Sequence, residues 1–391
     1  MDMAIKETAG TISSTSARKT EWATRAVFFI GGFGAASWAP LVPLLKARLA
    51  VAEDVLGLLL LCIGIGSLLT MPLSGAAATR WGCRRVLTCA SVAYAALLLA
   101  LCTFSTMAAV VPTLLIFGAV MGCIDVVVNI EAVMVEQAAG RRLMSGMHAL
   151  WSVGGFVGAG LFSVWVGTVG LTPLLSTMIA AAIILLAIVI FSRWLLPHGG
   201  APGGALIAMP HGIVTFVGII ALIAFLVEGA VMDWGGVFLT QVRGFDMSLA
   251  GMGFTVFSAA MLVMRLIGDK AVSKLGQKPV ILGGSALAFL GFLLVIFAPS
   301  SALLFTGFFL IGIGSANVVP VFFSLLGKQD VMPLSLAVPA VSTLGYLGIL
   351  MGPAAIGFLA HLTSLYAAFG LLAGLVALEG IIAMYVYKKI L

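Results

Sequence analysis

One stretch puts two carboxylates and an amide where a chain ordinarily has none: Gly118-Ala-Val-Met-Gly-Cys-Ile-Asp125-Val-Val-Val-Asn129-Ile-Glu131. The run around it is apolar enough to cross a bilayer. A charge at mid-membrane costs roughly 2.5–3.5 kcal/mol on insertion scales. A group kept there is paired, faces water, or works. The chemistry open to a carboxylate beside an amide is proton uptake and hydrogen bonding to a polar solute. On a helix turning about 100° per residue, Asn129 lies about 40° from Asp125 and Glu136 about 20° from it, so the three share one stripe, while Glu131 points about 240° round. Gly118 and Gly122, four apart, let a neighbouring helix come close. The elements that must position these groups are membrane-spanning helices.

Composition agrees. The chain has 391 residues, 62% hydrophobic and 9% charged, against about 25% charged in an ordinary soluble domain. It has too little polar surface to be soluble, and its long unbroken apolar runs fit spanning helices, not the short alternating segments of a β-barrel. The net charge of +6 carries no nucleic-acid signal, because the basic residues sit in short loops. The five cysteines show no CxxC spacing and read as small apolar residues. No Walker lysine motif, no HExxH and no metal-spaced Cys/His set occurs, so no cofactor, metal or nucleotide chemistry is expected.

Twelve apolar spans of about 20 residues are expected, near 24–45, 54–77, 86–105, 111–135, 147–168, 173–195, 213–238, 248–269, 279–298, 302–326, 335–360 and 364–387. This predicts an all-α membrane protein: a cytoplasmic N-terminal tail over 1–23, a six-helix bundle over 24–195, a cytoplasmic Pro/Gly linker over 196–212 and a second six-helix bundle over 213–391. With the N-terminus inside, nearly all Lys and Arg fall on inner segments, and only Lys46, Arg48 and Arg243 fall outside. Both termini are then cytoplasmic. The halves repeat: Thr79-Arg80-Trp81-Gly82-Cys83-Arg84 matches Ser273-Lys274-Leu275-Gly276-Gln277-Lys278, Gly122-x-x-Asp125 matches Gly314-x-x-Asn317, and Trp38 corresponds to Trp234. Two like bundles of the same topology are the parallel repeat expected when substrate binds between them. Glycine sets in spans 5 and 11 (Gly154, Gly155, Gly158 and Gly160; Gly348, Gly352 and Gly357) also match, and they suit close packing.

The 6+6 layout and the doubled loop motif resemble the Major Facilitator Superfamily over essentially the whole chain. Its loop signature, Gly-x-x-x-Asp-Arg-x-Gly-Arg-Arg, is met by Gly75, Arg80, Gly82, Arg84 and Arg85, while Thr79 and Ser273 stand where the Asp usually is. The 125–136 run, Met147-His148, Glu228-Gly-Ala-x-x-Asp233-Trp234 and Thr343-Leu-Gly-Tyr346 look like the bacterial YbjJ/MosC-type branch, and the acid-x-x-x-Asn spacing of span 4 is similar to fucose-permease-type proton symporters. The resemblance implies that spans 1, 4, 7 and 10 line the waterway.

On that footing Asp125 is the first proton-coupling candidate, with a structural hydrogen bond as the alternative, and Asn129 a ligand for substrate hydroxyls. Glu228 is a second proton site or one half of a structural pair. Asp233, about 140° from it, is a gate or helix-end residue. Trp38 and Trp234 offer flat apolar faces with one N–H each, for a sugar ring or for the interface belt. Asn317, Tyr346 and His148 complete the substrate-binding candidates. Glu131 and Glu136, close to the Arg80, Arg84 and Arg85 loop and the Arg141 and Arg142 loop, are expected to form ion pairs that gate the inner side. Arg265 and Asp269 have the spacing of a local helical pair, and Glu379 lies on a peripheral span. The resulting expectation is a monomeric, multi-pass secondary transporter of the bacterial inner membrane. It moves a sugar- or cyclitol-like solute by proton-coupled alternating access; its partners are solute, protons and lipid, and it is not an enzyme. The alternatives are a proton-driven drug or metabolite exporter, against which the absence of an arginine around Thr113 and Leu114 weighs, and a non-transporting sensor.

Overall fold

The computed structural model describes residues 14–51, 53–199, 209–245 and 252–390, and every regular element among them is helical. Among the described residues, eleven helices are long and apolar enough to cross a membrane. The first, α1 (Ser14–Trp38), falls outside that set because Arg18, Lys19, Glu21 and Arg25 crowd its first half and it stops two residues short of Pro40. Proline removes a backbone donor and restricts the residue before it, so the expected span 24–45 divides into α1 and a short α2 (Leu41–Leu49). Of the expected tail, 1–13 lies outside the described residues and 14–23 is already helix; of the linker, 200–208 lies outside them.

The chain divides into two compact units. The first comprises Met1–Leu143, Met147–Ala208 and Pro333–Pro339. After α1 and α2 it holds α3 (Glu53–Trp81), α4 (Cys83–Thr103), α5 (Met107–Ala139), most of α6 (Met144–Gly167) and α7 (Pro173–Phe191), closed by a 3-10 turn at Ser192–Trp194. Helix α5 is its axis and packs on α1, α3 and α4. The glycine spacing allows this. A Cβ on Gly118 would lie 2.0 Å from the Ile63 carbonyl oxygen, and one on Gly66 would lie 1.9 Å from that of Leu115. Across this seam the Ser67 hydroxyl donates to the Gly118 carbonyl at 2.7 Å. Helix α6 lies as tightly on α1, with Gly154 and Gly158 against the carbonyls of Phe29 and Phe33.

The second unit comprises Met144–Gly146, Met209–Met332 and Ala340–Leu391. Its helices are α8 (Ile213–Val237), continued by a π-helical turn Phe238–Val242, then α9 (Met252–Leu275), α10 (Gln277–Phe297), α11 (Ser301–Ser315), α12 (Val318–Leu326), α13 (Leu334–Leu362) and α14 (Leu365–Ile390). Phe238, Phe292, Phe308 and Phe369 centre its core, with the rings of Phe238 and Phe369 4.4 Å apart. Helix α13 meets α8 at Gly348, where a Cβ would lie 2.2 Å from the Leu222 carbonyl oxygen. The loop repeat recurs in backbone form: single residues, Gly82 and Gly276, join α3 to α4 and α9 to α10 with φ of +80° and +88°. Side chains rarely adopt that region.

Spans 4 and 10 correspond in sequence but not in shape. Span 4 is one helix, α5; span 10 is cut at Ala316 and Asn317 into α11 and α12. Pro320 is the cause: it has no N–H for the carbonyl four residues back, that of Ala316, and its ring crowds it. Val128 holds the corresponding place in span 4.

Candidate functional sites in the two units

In the first unit the polar stripe of α5 closes into a chain. Asn129, fully buried, donates from Nδ2 to the Asp125 carbonyl oxygen at 2.8 Å and lies 3.4 Å from its Oδ1. Its Oδ1 is 3.2 Å from His148 Nε2 on α6. The imidazole sits 5.0 Å from the Phe28 ring of α1. Asp125 is half-buried at one end of this chain. Asn129, named from the sequence as a ligand for solute, spends its amide on joining Asp125 to His148. Trp38 ends α1 buried beside Phe117, which stacks on Tyr94.

The two glutamates further along α5 part company, as their angles require. Glu131 is fully buried and accepts the Thr24 hydroxyl at 3.3 Å and the Leu196 N–H at 3.2 Å. Arg84 holds the same stretch of backbone, its Nε donating to the Leu195 carbonyl at 2.9 Å and its N–H to that of Leu196 at 2.8 Å. The expected Glu131–arginine pair is thus a joint grip on the end of span 6. Glu136 accepts the Leu143 N–H at 2.8 Å, just ahead of α6, and lies 3.4 Å from Arg142. Arg80 lies over the Trp81 ring, and Arg85 is exposed. A charge cluster the sequence reading left in the tail joins them: Glu21 pairs with Arg25 at 3.1 Å and with Arg141. The four-residue spacing of Glu21 and Arg25 was its available signal.

The second unit gathers a different set. Glu228 on α8, half-buried, is 3.8 Å from Arg265 of α9, which is itself buried. Arg265 Nε donates to the Ala316 carbonyl at the helix break, at 3.2 Å. Asn317 follows, buried. Asp233 is exposed near the end of α8; Trp234, half-buried, packs on Gly357 of α13, the helix that also carries half-buried Tyr346. Asp269, at the spacing of a local helical pair with Arg265, has further partners. Both Asp269 oxygens accept backbone N–H groups, from Ser145 at 3.0 Å and Gly146 at 2.8 Å, within this unit. Asp269 stands where Gly75 stands in the first repeat. Gly75 there packs on the Ser335 carbonyl at the start of α13. A carboxylate missing from Ser273 in the loop signature is therefore present one turn earlier. Glu379 is buried and accepts the Ser285 hydroxyl at 3.0 Å.

Long apolar helices that hold buried ionisable groups on their inward faces define a multi-pass membrane protein of the transporter class. The sequence model of the Major Facilitator Superfamily matches residues 26–329, and the chain belongs to that superfamily. It is 49% identical to an MFS-type transporter of Yersinia pestis over 353 residues, covering 90% of this chain and 91% of the relative. It is 28% identical over 344 residues to the membrane protein MosC of Rhizobium meliloti, covering 86% and 83%. Its fold is similar to that of the fucose:proton symporter FucP of E. coli (TM-score 0.77, 15% identity, 94% of this chain and 98% of that one). It is similar also to the proton:xylose symporter XylE (TM-score 0.75, 14% identity, 97% of each). The resemblance drawn from the loop motif and the span 4 spacing is thereby established at the level of family and fold.

Proposed function

We propose that this chain is a proton-coupled secondary transporter of the bacterial inner membrane, moving a small hydroxyl-rich solute of the sugar or cyclitol class by alternating access, with both termini cytoplasmic. The observation that carries the reading is the Asp125–Asn129–His148 chain. It joins a half-buried carboxylate to an imidazole through an amide whose two ends are both engaged. Asp125 takes the proton and Asn129 relays the change in hydrogen bonding to His148, which sits against α1 through Phe28. Neutral and ionised Asp125 present different hydrogen-bonding partners to Asn129, so solute affinity and proton occupancy are linked. Glu228 is the second proton site, Asn317, Tyr346, Trp38 and Trp234 contribute to solute contact, and Asp233 with the Glu131, Glu136 and arginine set serves gating. The namesakes of the two solved folds, a fucose:proton and a proton:xylose symporter, lend support to this solute class.

The test is a proteoliposome assay with a trapped pH-sensitive dye. Sugars, cyclitols, amino acids and cationic drugs are added singly, and solute-driven proton entry is read. The expected result is entry with members of the first two classes, lost in Asp125→Asn while solute counterflow persists. Proton movement with drugs alone, or unchanged movement in Asp125→Asn, overturns the reading.

A further inference from the structure

Pro320 leaves the Ala316 carbonyl without its helical donor, deep in span 10. At bilayer depth such a group needs a partner inside the protein, and Arg265 supplies it: Nε donates to this carbonyl at 3.2 Å. The other arm of the same guanidinium is the ion pair with Glu228 at 3.8 Å. Beside them Asn317 is only 3% exposed, and among the described residues neither its Nδ2 nor its Oδ1 has a hydrogen-bond partner. Gly268, one turn after Arg265, lies so close that a Cβ there would be 2.1 Å from that Oδ1. Freed carbonyls of an interrupted helix are where transporters commonly seat a coupling cation. Here the seat is taken by a side chain that stays charged at every physiological pH.

We propose that Arg265 is a built-in cation of the span 10 break and the positioning residue that links the charge on Glu228 to the conformation of Ala316–Asn317. The inference rests on the proposed proton role of Glu228. With Glu228 ionised, the guanidinium is shared between the carboxylate on α8 and the carbonyl on α11. When a hydronium ion transfers a proton to a Glu228 carboxylate oxygen, an O–H bond forms there as one O–H bond of hydronium breaks, leaving water. The guanidinium loses its counter-ion, and its donors turn to the Ala316 carbonyl and the unpartnered Asn317 Oδ1. The break then tightens, and the tie to α8 is released.

Other ionisable groups stand on Glu228's own helix and on its neighbours. Asp233 lies five residues along α8, and α9 carries Asp269, held by two backbone N–H groups, with Lys270 and Lys274. The short α12 brings none; α13 brings Tyr346 and, at its last turn, His361. On α14 stand Tyr366 against Phe238, Glu379 bonded to Ser285, then Tyr385 and Tyr387, and Lys388 and Lys389 in the last turn.

Hydrogen–deuterium exchange of the full-length protein in nanodiscs tests this without any solute. Peptides over the span 10 break are followed at acidic and alkaline pH, corrected for intrinsic exchange rates. In the wild type, exchange at the break is expected to be about fivefold slower at acidic pH. Glu228→Gln should show the slow rate at both pH values. Arg265→Lys keeps the charge but not the fork that reaches two acceptors, and should lose the pH dependence. Replacing sodium by choline should change nothing. A pH dependence that survives in Glu228→Gln or Arg265→Lys, or a sodium-dependent rate in the wild type, overturns the proposal. Should Arg265→Lys not fold, Glu228→Gln and the sodium comparison decide. Solute-driven proton entry in the dye assay stands or falls separately.

Discussion

Arg48 and Arg243 hold corresponding places in the two repeats, and each ends on backbone carbonyls at the C-terminus of a helix in its own unit. Arg48 reaches Leu101 and Cys102 of α4, and Arg243 reaches Ile296 and Ala298 at the end of α10. The last carbonyls of a helix lack intrahelical donors and carry the negative end of its dipole. A guanidinium can serve two at once. These are also two of the three basic residues that the charge pattern leaves on the outer side, so their placement has a structural cause.

Removing either cap should destabilise its own unit. Arg48→Ala and Arg243→Ala are each expected to lower the melting temperature by about 2–4 °C, a loss of about 1 kcal/mol. The double variant should lose the sum, because the two sites share no partner. Lysine at either site should recover only part, having no fork. Thermal unfolding of the detergent-solubilised protein measures all five variants.

The close helix seams give a sharper contrast. Gly154→Ala and Gly348→Ala would drive a methyl group to 2.3 Å from the Phe29 carbonyl oxygen and 2.2 Å from that of Leu222, backbone atoms that cannot swing aside. Each should cost about 1–3 kcal/mol and appear as reduced monodisperse yield. Gly160, on the same helix as Gly154, has open space at its Cβ position. Gly160→Ala should be neutral on the same chromatogram, and a uniform loss across the three would refute the packing argument.

Asp269 should matter as an acceptor of backbone N–H groups more than as a partner for Arg265. Asp269→Ala leaves the Ser145 and Gly146 donors unmet and is expected to cost about 2 kcal/mol. Asp269→Asn retains one acceptor oxygen and should cost about half as much. Unfolding midpoints that rank the two the other way would count against this role.

The relay in the first unit predicts that Asn129 cannot be spared, because both ends of its amide are engaged within the protein. Asn129→Ala should reduce proton-driven uptake at least about tenfold while leaving the protein folded, since Asp125 and His148 lose their shared partner. Asn129→Asp should not rescue it, because a carboxylate cannot donate to Asp125. Uptake under an imposed pH gradient, compared with counterflow at equal pH, separates the coupling defect from lost binding.

Much of this protein was legible before any fold was known, because bilayer thickness and helix geometry constrain a sequence directly. Apolar run length marked the spans, four-residue spacing put Asp125 beside Asn129, and paired glycines marked the seams on which α3, α6 and α13 come close. The same reasoning erred where proline entered. Run length alone makes spans 1 and 10 single helices, whereas Pro40 and Pro320 interrupt them.

What only the tertiary structure decided was which groups meet across helices. Spacing along one helix fixes the angle of a side chain but not which neighbour stands opposite. Thus Arg265, four residues from Asp269, found Glu228 and the carbonyl orphaned by Pro320. Asp269 took the first N–H groups of α6, and Glu131 took a hydroxyl and an N–H beside the Arg84 charge. A buried charge accepts whichever donors packing brings within about 3 Å, and that choice is made by the folded helices together.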